Sequence, residues 1–304
     1  MSDRITAAMV TGSTLNDINS ALSSLERSSN ELSSGKSILA PSDNPYGASH
    51  AIDLQSQLDG LSSYASNVQD GISWATTSES AMANMGSVLQ RVRELTLQAS
   101  NGTNNQGDLN NIATEVEQLT ETIKQDANTQ YAGQYVFAGT LTTTAPYQPG
   151  ESDTYNGNGG AVARAIGPGA SVTVNTNISS LLGSGKGAAD GKLLDTLRTV
   201  VQNLREGTTE SRGALSSTDL KALDANAEVL SQLQATAGSA IDQLQTASSR
   251  IEGLQASITK ALSNTQDADI AKTSIAFSNQ QAAYQAALRA GASIVQESLL
   301  NFLH

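Results

Sequence analysis

Apolar residues recur along most of this chain at alternating steps of three and four, the spacing that lays one stripe along one face of an α-helix. From Leu223 the stripe runs through Ala227, Leu230, Ala237, Ile241, Leu244, Ile251 and Ile258 to Leu262, with polar Gln234, Ser248 and Gln255 at three of its seam positions. Near the other end Leu15, Ile18, Leu22, Leu25 and Leu32 repeat the steps, and Ser29 takes the remaining seam position. Seams this long want partners, and each end of the chain is the natural partner of the other.

The punctuation between stripes divides the chain. Residues 5–34 read as a first helix ending near Gly35, followed by a break at Ala40-Pro41-Ser42-Asp43-Asn44-Pro45. Asn44 reads as an N-cap and Pro45 as a first helical residue, where a missing N–H costs nothing. The second helix should run to about Ser100 and stop at Asn101-Gly102 in a left-handed cap. Its stripe (Leu54, Leu58, Leu61, Ala65, Val68, Ile72, Ala75) shifts near Glu79 to Met82, Met85, Leu89, Val92, Leu95 and Ala99, implying a change of partner face. At about 1.5 Å per residue this helix makes a rod of roughly 80 Å.

Asp108 is the expected cap of a third helix (Leu109, Ile112, Val116, Leu119, Ile123, Ala127) that folds back antiparallel. The pattern then changes to alternation. Tyr135-Val136-Phe137 reads as a strand, and Val162 to Val174 around Gly167-Pro168-Gly169 as a hairpin. Helix returns from Leu193 to Leu204, breaks at Gly207, resumes behind an N-cap at Thr218-Asp219 and breaks again near Asn264-Thr265-Gln266-Asp267. The last helix carries Ile270, Phe277, Tyr284, Leu288, Ile294, Val295, Leu299 and Phe302. The expected fold is mainly α: an elongated antiparallel helical bundle or coiled coil formed by both chain ends, with a small inserted β domain. Its expected parts are a terminal coiled-coil domain (1–44 and 265–304), a helical rod domain (45–140 and 191–264) and an outer β domain (141–190).

Composition sharpens this picture. Of 304 residues 38% are hydrophobic, yet only 4% are aromatic, which suits long helices with thin seams better than a compact core. A net charge of -12 without clustered Lys or Arg argues against nucleic acid. There is no cysteine, so disulfides, thiolate metal sites and thiol nucleophiles are excluded. MSDRITAAMV lacks the basic and apolar regions of a secretory signal, and no run approaches the roughly 20 apolar residues of a membrane span.

Candidate chemistry fails residue by residue. Gly35-Lys36-Ser37 lacks the earlier glycine of a phosphate loop, since Asn30 stands there, and no strand precedes it. Gly167 and Gly169 lack the third glycine and helix of a dinucleotide fingerprint. The only histidines are His50, read as a solvated partner of Asp53, and His304. Glu115, Glu117 and Glu121 have no base nearby in sequence and read as solvated charges. No catalytic residue, metal ligand or cofactor site is expected, and the protein is not expected to be an enzyme.

Two segments carry a family resemblance. SNVQDGISWATTSESAMANMGSVLQRVRELTLQASNGTN (Ser66 to Asn104) resembles the rod segment of the bacterial flagellin family, and QQAAYQAALRAGASIVQESLLNFL (Gln280 to Leu303) its C-terminus. LSSGKSILAPSDNPYGA (Leu32 to Ala48) and QYVFAGT (Gln134 to Thr140) are similar to the hook-filament junction members, the third hook-associated proteins. The resemblance implies an extracellular structural subunit of the flagellum, joining hook to filament. It implies export through the flagellar secretion channel without a signal peptide, and a cytoplasmic chaperone holding the C-terminal helix. It also implies polymerisation with itself, a neighbouring hook-associated protein and flagellin.

The assembly interface is expected at Leu15, Ile18, Leu22, Leu25, Leu32, Phe277, Tyr284, Leu288, Ile294, Val295, Leu299, Leu300, Phe302 and Leu303. Lateral contacts are expected at Gln90, Arg91 and Glu94, within a stretch that resembles the one host innate receptors bind. An isolated helix pair with so narrow a seam is marginal in water, so the ends are expected to be largely disordered in the monomer. The rivals are a filament flagellin, a soluble signalling coiled coil and a glycan-acting enzyme.

Overall fold

The computed structural model describes residues 7–150, 154–185 and 190–302, and for 7, 8, 11 and 294–302 the backbone alone. Three helices open the chain: α1 (Ala7–Ser34), α2 (Pro45–Ser100) and α3 (Gln106–Ala127). Two strand pairs follow, β1 (Gln130–Tyr131) with β2 (Gln134–Tyr135), and β3 (Ala163–Gly167) with β4 (Ala170–Thr173). A single turn, α4 (Ser179–Leu182), leads to α5 (Leu193–Glu206), α6 (Thr209–Ala214), α7 (Leu220–Gln266) and α8 (Ile270–Phe302). The fold is mainly α with small antiparallel strands. Its two compact units divide inside α2 and α7: one holds the chain up to Gly60 and from Leu254, the other Leu61–Gly253.

The central unit is built on α2 and α7 running antiparallel. Arg93 pairs with Asp224 at 2.7 Å, and a side chain on Gly86 would meet Leu230 and one on Gly71 would meet Leu244. The buried line of α2 does not change face near Glu79. It passes through Val68, Trp74, Ala75, Ser78, Met82, Met85, Leu89 and Val92 without a gap. Ser78 hides in that line because its hydroxyl donates to the Trp74 carbonyl at 3.1 Å, and Thr96 does the same with Val92 at 2.8 Å. A serine satisfied within its own helix behaves as a small apolar residue.

α3 folds back on α2 as expected, and Arg91 reaches Glu115 at 2.9 Å across the turn. Its cap is Asn105 rather than Asp108. The Asn105 side chain accepts from Asp108 N and the Asp108 side chain accepts from Asn105 N, a reciprocal box that satisfies two donors. α2 stops at Ser100, yet Gly102 is not in the left-handed region.

The β3–β4 hairpin matches the sequence pattern, Ala163 facing Thr173 across a turn with Gly169 at φ +69. Val136 and Phe137 do not extend a strand: they follow β2 and are fully buried. The segment between α3 and α5 supplies Tyr147, Val172, Val174, Ile178, Leu181 and Leu182 to the core that α2, α3, α5 and α7 share. Arg164 fastens the hairpin, bonding Asp70 at 2.7 Å while lying 5.7 Å from the Trp74 ring centroid.

Gly207 ends α5 in a left-handed turn, as its position suggested. Helix resumes at once behind Thr208, whose hydroxyl accepts from Ser211 N at 3.1 Å. Thr218-Asp219 is therefore not a helix start. It lies in a π-helical stretch, Leu215–Asp219, that joins α6 to α7 without a break. Asp219 is buried there and accepts from Asn203 Nδ2 at 2.7 Å. Burial raises its pKa above the ordinary aspartate range, with the Asn203 bond opposing part of that rise.

Candidate assembly surface

The terminal unit pairs α1 with α8 in antiparallel sense. At the foot of the pair, Gly35 turns the chain out of α1 at φ +70. Two backbone bonds then clasp the connecting loops: Ser37 N donates to Gln266 O at 2.7 Å, and Ala268 N to Gly35 O at 2.8 Å. The residues that superficially suggested a phosphate loop thus form a two-stranded bridge. Asp43 holds the rest of the loop by accepting from Leu39 N and Ala40 N at 3.0 and 2.9 Å. Those bonds, chiefly the one from Ala40, lower its pKa. Asn44 caps α2 as expected, accepting from Gly47 N at 2.9 Å.

The seam between α1 and α8 mixes small and polar residues with larger apolar and aromatic ones. On α8 the inward line is Thr273, Phe277, Gln280, Tyr284, Ala287 and Gly291, of which only Thr273 and Gly291 are fully buried among the described residues. A side chain on Gly291 would meet Ile18 Cδ1 at 3.0 Å, so the helices approach closely there. On α1 the buried seam serine is Ser28, not Ser29, and its hydroxyl bonds the Gln280 side chain. Ile18, Leu22, Leu25 and Leu32 are half-buried.

Larger apolar residues point outward. Met9, Leu15, Ile270, Ile275 and Leu288 are 65%, 56%, 51%, 64% and 44% exposed, and Tyr46 and Ile52 on the first turns of α2 are 82% and 65% exposed. Among the described residues, only Leu54 and Leu262 are fully buried large apolar side chains in this unit. Ile294, Val295, Leu299, Leu300 and Phe302 belong to α8, but their side chains and the whole of Leu303 lie outside the described residues.

The other residues singled out from sequence find local partners. His50 is exposed and stacks on Tyr46 at 6.3 Å rather than pairing with Asp53. The glutamates of α3 are not isolated charges: Glu115 meets Arg91, Glu117 meets Arg205 at 2.7 Å, and Glu121 meets Lys124 at 3.1 Å. These partners come from other helices or the next turn, which separation in sequence concealed. Gln90, Arg91 and Glu94 are exposed, and Arg91 is engaged with Glu94 at 3.3 Å as well as Glu115. Among the described residues no three acidic or histidine side chains converge as a metal site would require, and no helix is long and apolar enough to cross a membrane.

Residues 5–142 match the bacterial flagellin N-terminal helical region and 220–303 its C-terminal helical region. A phase 1 flagellin of Salmonella naestved is 41% identical over 121 residues, 40% of this chain and 24% of that flagellin. The match therefore spans about a quarter of the curated relative. In fold the chain is similar to a candidate flagellar hook-associated protein of Vibrio parahaemolyticus, with TM-score 0.66, 16% identity and coverage of 74% of this chain and 100% of that one. It is also similar to hook-associated protein-3 of Legionella pneumophila, with TM-score 0.59, 16% identity and coverage of 69% and 97%. With both helical regions matched and the long helices of its two ends packed together, the chain belongs to the bacterial flagellin family, a family of structural flagellar proteins and not of enzymes.

Proposed function

We propose that this protein is the subunit that joins the flagellar hook to the filament, polymerising through its terminal helices. The observation that carries the reading is the exposed apolar face of the terminal unit: Thr273, Gln280 and Gly291 share the partner-facing line of α8 with Phe277 and Tyr284, while Ile270, Ile275 and Leu288 face out. Burying one such side chain is worth about 1.5–3 kcal/mol, so neighbouring copies that cover several of them supply a strong drive to stack. In this reading the terminal coiled coil holds the tube wall and the central helices form the rod. Gln90, Arg91 and Glu94 make lateral contacts, and 141–190 faces outward. The subunit leaves the cell through the flagellar secretion channel, with a cytoplasmic chaperone on the apolar end Leu299, Leu300, Phe302 and Leu303.

Removing residues 1–40 and 265–304 tests the reading. Trp74, the single tryptophan, reports the central unit, so its emission should stay that of a buried indole while sedimentation shows assembly abolished. Assembly that survives the truncation refutes the proposal. A second reading, filament flagellin, draws on the 41% identity to a flagellin. Purified protein that grows long filaments alone, with label along the whole filament on intact cells, would favour it; short rings and a spot at the hook end favour the junction role.

A further inference from the structure

Asn-Gly pairs occur at 101–102, 156–157 and 158–159, and the structure places them in different surroundings. We infer that Asn101 is a site of spontaneous deamidation in the folded protein, and that the other two are protected by the fold. The reaction needs a side-chain amide free to rotate and a following backbone nitrogen free to reach it. The Gly102 amide, on losing its proton to base, attacks Asn101 Cγ. The new C–N bond closes a five-membered imide, and the side-chain nitrogen leaves as ammonia. Water then opens either imide carbonyl, leaving an aspartyl or an isoaspartyl residue in place of Asn101. The co-reactant is water, and no oxidant or reductant is consumed.

The α2–α3 turn meets both requirements. Asn101 and Gly102 are exposed, and neither the Asn101 side chain nor the Gly102 N–H makes a hydrogen bond with a described residue. Beyond its chain neighbours, no atom lies within 4 Å of where a Gly102 Cβ would stand, so the turn is not packed against other parts of the chain there. Asn158 is the opposite case. Its Oδ1 accepts from Thr140 N at 2.9 Å, Thr140 Oγ1 at 3.2 Å and Gly160 N at 3.0 Å, and its Nδ2 donates to Thr140 Oγ1 at 2.8 Å. The Asn156 backbone is held by Pro146 O at 2.8 Å, and Gly157 is hemmed by the Tyr155 ring and the Ala138 carbonyl.

The product matters to the turn. A carboxylate there sits at the negative end of the α2 dipole, which disfavours it. An isoaspartyl link also lengthens the backbone beside Asn104, whose Nδ2 holds Gln98 O at 2.6 Å and Asn101 O at 3.3 Å and whose carbonyl accepts from Arg212 Nη2 at 3.0 Å. Ageing therefore loosens the connection between α2, α3 and α6.

The test is prolonged incubation of the full chain in mildly alkaline buffer made with isotopically heavy water-oxygen, followed by peptide mass spectrometry. The expected result is label at Asn101 at least about tenfold ahead of Asn156 and Asn158, with all three reacting comparably once the chain is unfolded in denaturant. Gly102→Ala, for which the turn has space and no left-handed φ, should suppress labelling at Asn101 about tenfold without altering the fold by circular dichroism. Equal labelling of the three sites in the folded chain, or an unlabelled Asn101 in the folded chain that reacts only when unfolded, overturns the inference.

Discussion

The two compact units are both helical, yet they spend their apolar residues in opposite ways. In the central unit Met82, Met85, Leu95, Ile123, Leu197 and Leu204 are all but sealed from water, and the single tryptophan is buried with them. In the terminal unit several isoleucines and leucines stand exposed, and the α8 side of the seam mixes glycine, threonine and glutamine with Phe277 and Tyr284, none of its larger side chains fully buried. A core of the first kind stabilises a chain alone. A surface of the second kind gains its stability from neighbours, because exposed isoleucine contributes nothing to the isolated chain and a full share once covered. The central unit has a sealed core of its own, whereas the terminal unit, in the proposed function, is half of an interface.

Single substitutions divide along the same line. Leu197→Ala, in the core, should lower the unfolding free energy of the central unit by about 2–5 kcal/mol, whereas Ile275→Ala should change it by less than about 0.5 kcal/mol. Denaturant titration followed by Trp74 emission measures the first, and the critical concentration for assembly should move only with the second. If Ile275→Ala destabilises the monomer as strongly as Leu197→Ala, the contrast between the units fails.

A smaller effect probes how closely the central helices approach the hairpin. A side chain on Gly71 would meet Leu244 Cδ1 and Val174 Cγ1 at 3.2 Å and Arg164 Cγ at 3.3 Å, so Gly71→Ala gains helix propensity but forces three neighbours to yield. The net expectation is a loss of about 1–2 kcal/mol in thermal unfolding. The corresponding change at Gly60, which has open space around it, should stabilise by about 0.5–1 kcal/mol.

The smallest effect concerns pH. Asp219 has its pKa raised in the folded state by burial, so the folded chain binds a proton that the unfolded chain has already released. Its contribution is favourable below the ordinary aspartate pKa and is lost as pH rises through the raised value. Asp219→Asn keeps an acceptor for Asn203 and carries no charge. It should leave stability at neutral pH unchanged or slightly higher and flatten the fall between acid and neutral pH, read from melting midpoints across that range. An unchanged slope would mean that Asp219 is ionised in its π-helical niche at no cost.

How much of this was legible in the sequence follows from which interactions are local. The second helix could be read because its start is set locally by Asn44 before Pro45; it ends at Ser100 as expected, though without the left-handed cap read at Gly102. The hairpin around Gly169 was equally plain. The cap of α3 was misread by three residues because Asn105 and Asp108 exchange bonds, and only geometry tells which of the two is the cap. The supposed start at Thr218-Asp219 failed for a related reason. Asp219 looks like a cap, but its bond goes to Asn203, on another helix. At the candidate assembly surface the leucine stripe of α1 was visible, and so were Phe277 and Tyr284 of α8, while Thr273, Gln280 and Gly291 between them were not, since they do not read as core.

The sequence by itself determined the helices, their approximate ends and the expectation that the two termini pair, because periodicity, prolines and glycines act over a few residues. It also carried the family, through two long segments near the chain ends. Only the tertiary structure decided which face of each helix is covered. Burial is a property of what lies opposite: Gly291 comes close to Ile18, while Ile275 on the same helix stands exposed.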